Sequence, residues 1–331
     1  MFIRHPLLHP DPHGLITRSM ATAAGLDDAD LRRLVKHGHL VRLRRGVFVP
    51  AEQWNALDEF HDRPLLRIRA AQECLRSDHV LSHDSAALLL GLGCPDPRTA
   101  LVHITRPKVH GDADRAGVKH HLAPYADDQV VAVDGMRVLD RARTALDMAR
   151  EHGLIAGVAC CDAALRGGAT RADLDRARQA MRCWPGSRVM DAALRLADPG
   201  AESWLESEAR VLLASLGIGR PETQFGLTDG NRTVWCDMRI GRHLFEADGH
   251  LKYTPANALG EDPGTVLWNE KERQDFIQGF KLGVSRITAF DCRGGAHAAH
   301  RRLLREYHDT CTRFGTDISD LAPYIVRRPG R

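Results

Sequence analysis

The sequence predicts an α/β protein of several domains: an N-terminal winged helix, an α+β middle region and a C-terminal α/β sandwich built on a mixed sheet. Three observations carry this reading. Residues 14–50 run helix, turn, helix, hairpin. Helical and strand-like stretches then alternate over residues 51–198. Beyond the Pro199-Gly200 break, a helix, two strands around Gly241-Arg242, a helix, a strand and a last helix follow in order. A chain of 331 residues is long enough for separate cores. The boundaries fall at 1–52, 53–198 and 199–331.

In the first segment Thr17 caps a short helix over Arg18–Ala24, and Gly25 ends it. Asp27 or Asp28 starts a second helix, Ala29–His37, which Gly38 ends. Leu40–Val49 reads as two strands around Arg45-Gly46. Arg32, Arg33, Lys36, Arg42, Arg44 and Arg45 gather on the second helix and the hairpin. A basic second helix followed by a basic wing suits phosphate contacts. The competing reading is a solvated charged helix in a small packing domain.

The middle segment predicts helices over Leu65–Arg76, Ser82–Gly91, Arg141–Glu151, Leu154–Arg166, Arg171–Arg182 and Arg188–Ala197. Ala100–Thr105 and Gln129–Val138 read as strands. His83 and His103 have no nucleophile or partner at a telling spacing and read as structural histidines.

The last segment opens with an amphipathic helix, Glu202–Leu216, with Leu205, Ala209, Leu212 and Leu216 on one stripe. Val234–Gly249 then reads as a hairpin whose Gly241-Arg242 pair suits a two-residue type II′ turn. That turn pairs Ile240 with His243, Met238 with Phe245, and Asp237 with Glu246. Strand alternation puts Asp248 on the side of Glu246. Cys236, Met238, Ile240, Phe245 and Ala247 take the other face, toward a core. Like charges directly opposite are destabilising, so a cation between the acids is expected. Oxygen ligands favour Mg²⁺, with Mn²⁺ as a substitute. Glu206 is placed to tune such a site from the helix or to pair with Arg210. Lys252 is placed to orient a metal-bound water. Arg273 is placed to brace the acids or reach a phosphate. A loop over Thr254–Gly264, a helix near Trp268–Phe280, a strand Val284–Phe290 and a helix Ala296–Phe314 complete the segment.

Composition narrows the partners. Net charge is +3, because 46 Lys and Arg nearly cancel 43 Asp and Glu, so a nucleic-acid surface must come from local clustering. The 8 cysteines form no C-x-x-C pair, which argues against a zinc ribbon. With no apolar leader and no run approaching a membrane span, a cytoplasmic protein with reduced thiols is expected.

Two resemblances follow from these residues. Asp237, Phe245-Glu-Ala-Asp-Gly249, Lys252-Tyr253 and Glu270-Lys-Glu-Arg-Gln-Asp275, together with Ala201–Arg210, resemble the PD-(D/E)XK nuclease superfamily, in its very-short-patch-repair-like branch. The likeness covers roughly residues 200–293 and implies a restriction-endonuclease-like sandwich that hydrolyses DNA. It implies Asp237 and Glu246 as metal ligands and Asp248 in the same acidic cluster, beside which Glu206 and Lys252 are the further catalytic candidates. The usual acidic-x-Lys reads Glu246-Ala247-Asp248 here, so Lys252 is expected to supply the missing cation. Thr17, Gly25, Leu31-Arg-Arg-Leu-Val-Lys-His-Gly38 and Arg45-Gly-Val-Phe48 resemble the winged helix of abortive-infection type IV (AbiEi) antitoxins. Leu81-Ser-His-Asp-Ser-Ala-Ala87 and Val133-Asp-Gly-Met-Arg-Val138 resemble the segment that follows it. This likeness implies DNA as partner, a toxin of unknown identity and autoregulation of transcription. Two functions therefore stand side by side: a metal-dependent DNA endonuclease with a winged-helix reader, and a non-catalytic DNA-binding regulator with a degenerate nuclease fold.

Overall fold

The computed structural model describes residues 8–107, 113–249 and 263–328. The chain divides into two compact units, residues 1–156 with 172–187, and residues 157–171 with 188–331. The first unit therefore takes in both the winged-helix segment and most of the middle region.

The first unit begins with β1 (Ile16–Thr17), α1 (Arg18–Ala23), α2 (Asp28–Lys36), β2 (Leu40–Arg44) and β3 (Val47–Pro50). The three strands form one sheet in the order β1-β3-β2. Local chemistry sets the helix starts. The Thr17 hydroxyl accepts the Met20 N–H, and the Asp27 carboxylate accepts the Ala29 and Asp30 N–H groups at 2.8 Å. The Asp30 carboxylate in turn accepts the Asp27 N–H at 3.0 Å, which closes a capping box. Ile16, Ala21, Leu31, Leu40 and Phe48 make a small core beneath the helices.

Next come α3 (Ala51–Ala56), α4 (Asp62–Gln72), β4 (Val80–Leu81), α5 (His83–Leu89), β5 (Val102–Arg106), β6 (Ala113–Arg115), β7 (Val118–Leu122), β8 (Val130–Val133), β9 (Met136–Leu139) and α6 (Arg141–His152). Six strands form a mixed sheet in the order β6-β7-β5-β4-β9-β8. The stretch predicted as one strand over Gln129–Val138 is a hairpin. It reverses at Asp134 and Gly135, both in the left-handed region at φ 47° and 79°. Residues 113–122, with no strand expected from the sequence, form β6 and β7.

The chain passes between the units within α7 (Leu154–Arg166), and continues through α8 (Arg171–Ala180) and α9 (Ser187–Leu196). The second unit then holds α10 (Trp204–Ser215), β10 (Glu222–Thr228), β11 (Thr233–Ile240), β12 (His243–Asp248), α11 (Pro263–Gly279), β13 (Gly283–Thr288), α12 (Ala289–Cys292), α13 (Ala296–Phe314) and β14 (Ile325–Val326). Its five strands run β13-β12-β11-β10-β14, with β12 and β13 parallel and the other pairs antiparallel. Met238, Ile240 and Phe245 pack with Ala209, Leu213 and Leu303 of α10 and α13. Phe225, Val234, Cys236 and Leu244 pack with Ile277 of α11 and with Leu321. The mixed sheet is thus covered on both faces. Among the described residues no helix is long and apolar enough to cross a membrane.

The Gly241-Arg242 turn forms as expected, with Gly241 at φ 57° and the pairs Ile240↔His243 and Met238↔Phe245. Two expectations about the hairpin need correction. The Asp237–Glu246 pair falls outside the paired stretch. Cys236 does not share a face with Met238, because it belongs to the opposite layer. Gln224, opposite Asp237 in the β10–β11 register, sits at φ 54° and falls out of the ladder. At this irregularity β11 changes the face it presents, with Cys236 in one layer and Met238 in the other.

Candidate functional site

In the first unit, α2 and the β2–β3 hairpin enclose a groove of about 860 Å³. Arg18, Arg32, Lys36, Arg42, Arg45 and Arg76 line it, together with Asp28 and Glu73. The caps explain why α2 stands there. Asp27 fixes its first turn, and Leu31 buries its apolar side against Phe48 and Leu40. Burying that stripe turns Arg32 and Lys36 outward, and both are exposed or nearly so. The hairpin contributes Arg42 and Arg45, and the end of α4 leads to Arg76.

The six cations predicted to contact DNA are not equivalent. Among the described residues, no carboxylate lies within ion-pair distance of Arg32, Lys36, Arg42 or Arg45. Arg33 is tied to Asp30 on its own helix and does not line the groove. Arg44 points elsewhere: it donates to the carbonyls of Ala116 at 2.8 Å and Gly117 at 3.2 Å, and burial holds its pKa below the usual arginine value. It joins the winged helix to the six-stranded sheet instead of reaching for a phosphate. Arg18 and Arg76 were missed by sequence reasoning. Arg18 is paired with Asp28, whereas Arg76 adds an exposed charge that only the fold of α4 brings to this groove.

In the second unit the acidic residues are brought near one another, but each has a partner. Arg273 reaches from α11 and grips both oxygens of Glu246, with Nη1 at 2.8 Å from Oε2, while its Nη2 also donates to the Trp235 carbonyl at 2.9 Å. Asp237 accepts the Ala247 N–H at 2.8 Å. Its pKa is pushed up to about 6, first by burial and then by the charges of Glu206 and Glu246. Asp248 lies 3.7 Å from Arg286. Glu206 accepts from the Glu202 N–H at 2.8 Å and from the Ser203 hydroxyl at 2.9 Å, at the N-terminal cap of α10. Arg210 does not pair with it. Arg210 is drawn to Asp162 at 2.5 Å and to the Leu196 carbonyl, within a buried network that also holds Ser207. Burial pushes Asp162 up to about 6 despite that arginine. Lys252 lies outside the described residues.

At the site expected to hold Mg²⁺, Glu246 offers both of its oxygens to Arg273. The three potential ligands that the described residues bring within 4.8 Å of one another are His83, His103 and His121, not the hairpin acids. Of the two roles expected for Arg273, the structure contains the contact that braces an acid, Glu246.

The family comparison bears on the N-terminal segment. Residues 7–51 match the family model described as "Transcriptional regulator, AbiEi antitoxin". Two curated relatives, the uncharacterised proteins MT2308 and Rv2248 from two strains of Mycobacterium tuberculosis, are each 28% identical over 223 residues, which covers 65% of this chain and 77% of theirs. Among solved structures, the RV2827C protein from Mycobacterium tuberculosis is similar at 18% identity with a TM-score of 0.37, over 54% of this chain and 72% of that one. A score that low carries no argument about the fold. The class indicated is a protein whose N-terminal segment resembles an antitoxin-type transcriptional regulator.

Proposed function

We propose that this protein is a DNA-binding transcriptional regulator of the antitoxin type, which grips duplex phosphates in the basic groove between α2 and the β2–β3 hairpin. The observation that carries this reading is the groove itself. Arg32, Lys36, Arg42 and Arg45 line it without a carboxylate partner among the described residues, in a chain whose net charge is only +3. Phosphate binding by such cations releases counterions, so affinity falls with salt in proportion to the number of phosphates neutralised. The N-terminal match to an antitoxin regulator agrees in kind and in place. Regulation of its own promoter and a toxin partner belong to the same reading.

The hydrolytic alternative has weaker support, because the Glu246 carboxylate is engaged by Arg273 and the family match lies in the N-terminal segment. The acids around Asp237 are read as a structural cluster, with Glu246 and Asp248 facing arginines and Asp237 and Glu206 held by backbone N–H groups.

The test is a salt titration of duplex DNA binding, followed by fluorescence anisotropy. The parent protein is expected to bind with a steep dependence on salt. Replacing Arg32, Lys36 and Arg45 with Ala together should reduce the slope of log K against log salt by about 0.9 for each phosphate left without its cation. Arg33→Ala should leave it nearly unchanged. An unaltered slope in the triple variant refutes the groove as the DNA site.

A further inference from the structure

The first unit contains a polar centre that DNA binding does not use. His83 begins α5, His103 lies on β5 and His121 on β7, and all three are buried, at 3%, 2% and 6% exposure. One ring nitrogen from each lies within 4.8 Å of the others. His121 Nε2 and His103 Nδ1 face each other at 3.0 Å, and the rings of His83 and His121 stack at 3.7 Å. A tetrahedral zinc ion with bonds near 2.0 Å holds neighbouring ligand nitrogens about 3.3 Å apart. The His103–His121 separation is close to that bite.

We propose that His83, His103 and His121 form a binding site for a divalent transition-metal ion of the Zn²⁺ class. Imidazole ligands favour such an ion over Mg²⁺ or Ca²⁺.

Two features support the assignment. The first is the outer layer of carboxylates. Asp84 Oδ2 lies 3.5 Å from His103 Nε2, and Asp147 Oδ1 lies 3.9 Å from His83 Nε2. Metal-bound histidines commonly direct their second nitrogen at a carboxylate, which fixes the tautomer. These carboxylates are themselves held, Asp84 by His152 at 2.5 Å and Asp147 by Arg143 at 2.9 Å and Arg150 at 3.2 Å. The second is backbone strain. His83 sits at φ 45°, in the left-handed region that a residue with a side chain occupies at a cost.

Proton placement is consistent with loading. With Nε2–H of His103 directed at Asp84, its Nδ1 bears the lone pair, and the facing Nε2 of His121 bears the hydrogen. Metal binding requires that His121 move its proton to Nδ1, that His83 turn out of its stack on His121, and that His83 Nδ1 give up its 3.0 Å contact with the Ser82 hydroxyl.

The test uses the full chain, stripped with a chelator and titrated with Zn²⁺ alone by calorimetry. One ion per chain is expected. X-ray absorption of the zinc-loaded parent should show three imidazole nitrogens near 2.0 Å. His121→Gln should abolish stoichiometric binding with its circular dichroism retained. Asp84→Asn keeps every ligand and should weaken binding about 10–100-fold. A parent that takes up no stoichiometric ion overturns the proposal. So does binding that survives undiminished in His121→Gln, which would place the ion on surface histidines. Should His121→Gln fail to fold, the absorption spectrum of the parent decides: a three-imidazole shell supports the site, and any other shell refutes it.

Discussion

Removing the guanidinium of Arg273 leaves the Glu246 carboxylate, 9% exposed, without its two charge-assisted hydrogen bonds. It also leaves the Trp235 carbonyl without the donor it shares. Breaking one side of a buried pair generally costs about 3–5 kcal/mol, whereas replacing both sides with apolar groups of similar size is often neutral. Arg273→Met should therefore destabilise the second unit by about 3 kcal/mol or more, and Arg273→Met with Glu246→Leu should recover most of that loss. Urea unfolding of the two single variants and the double variant measures the coupling. Additive losses would show that Glu246 is not held by Arg273 and would reopen the question of a cation at the hairpin. Residue types at this site were legible in sequence and their partners were not. The acids of 237–248 announce themselves by spacing, but Arg273 enters from a helix separated from them by a long stretch of chain. Only the packing of Ile277 against Leu244 and Cys236 brings that helix face to the strand.

Local signals carried the elements whose starts and stops are set by a few atoms. The Asp27 carboxylate on the Ala29 and Asp30 N–H groups, and Gly241 at the hairpin reversal, are readable because the chemistry lies within a few residues. Asp27→Ala removes that cap and should cost about 1 kcal/mol. Because α2 carries Arg32 and Lys36, a frayed first turn should also weaken DNA binding modestly while leaving the salt slope intact, since every cation of the groove remains. Chemical denaturation and the salt titration, run on the same variant, separate these effects. A reduced slope in Asp27→Ala would mean that its carboxylate does more than cap. Elements defined by their neighbours were harder to read. The β7 sequence Val118-Lys-His-His-Leu122 shows no clean alternation, because His121 points into a polar interior. The face change at Asp237 lies opposite the left-handed Gln224 across the ladder, which no pattern within β11 reveals.

The division of the chain into two compact units gives the competing functions different addresses. A groove-binding regulator engages DNA through the first unit, at α2 and the β2–β3 hairpin. A nuclease would engage DNA through the acidic hairpin of the second. A ligand that binds the native state stabilises the part of the structure it touches by RT ln(1 + [L]/Kd), about 2.7 kcal/mol at 100 times Kd. Proteins open in local cooperative units, so this stabilisation need not spread evenly. Amide exchange of the full chain, measured with and without saturating duplex DNA, should slow in residues 18–50 and stay unchanged in residues 233–248. Adding Mg²⁺ should not alter that pattern, because Glu246 remains bound to Arg273. Protection that appears instead in β11 and β12, and only with the divalent ion present, would move the DNA site to the second unit and restore the hydrolytic reading. Protection in both places without metal would mean that the basic groove is only part of a larger DNA-binding surface.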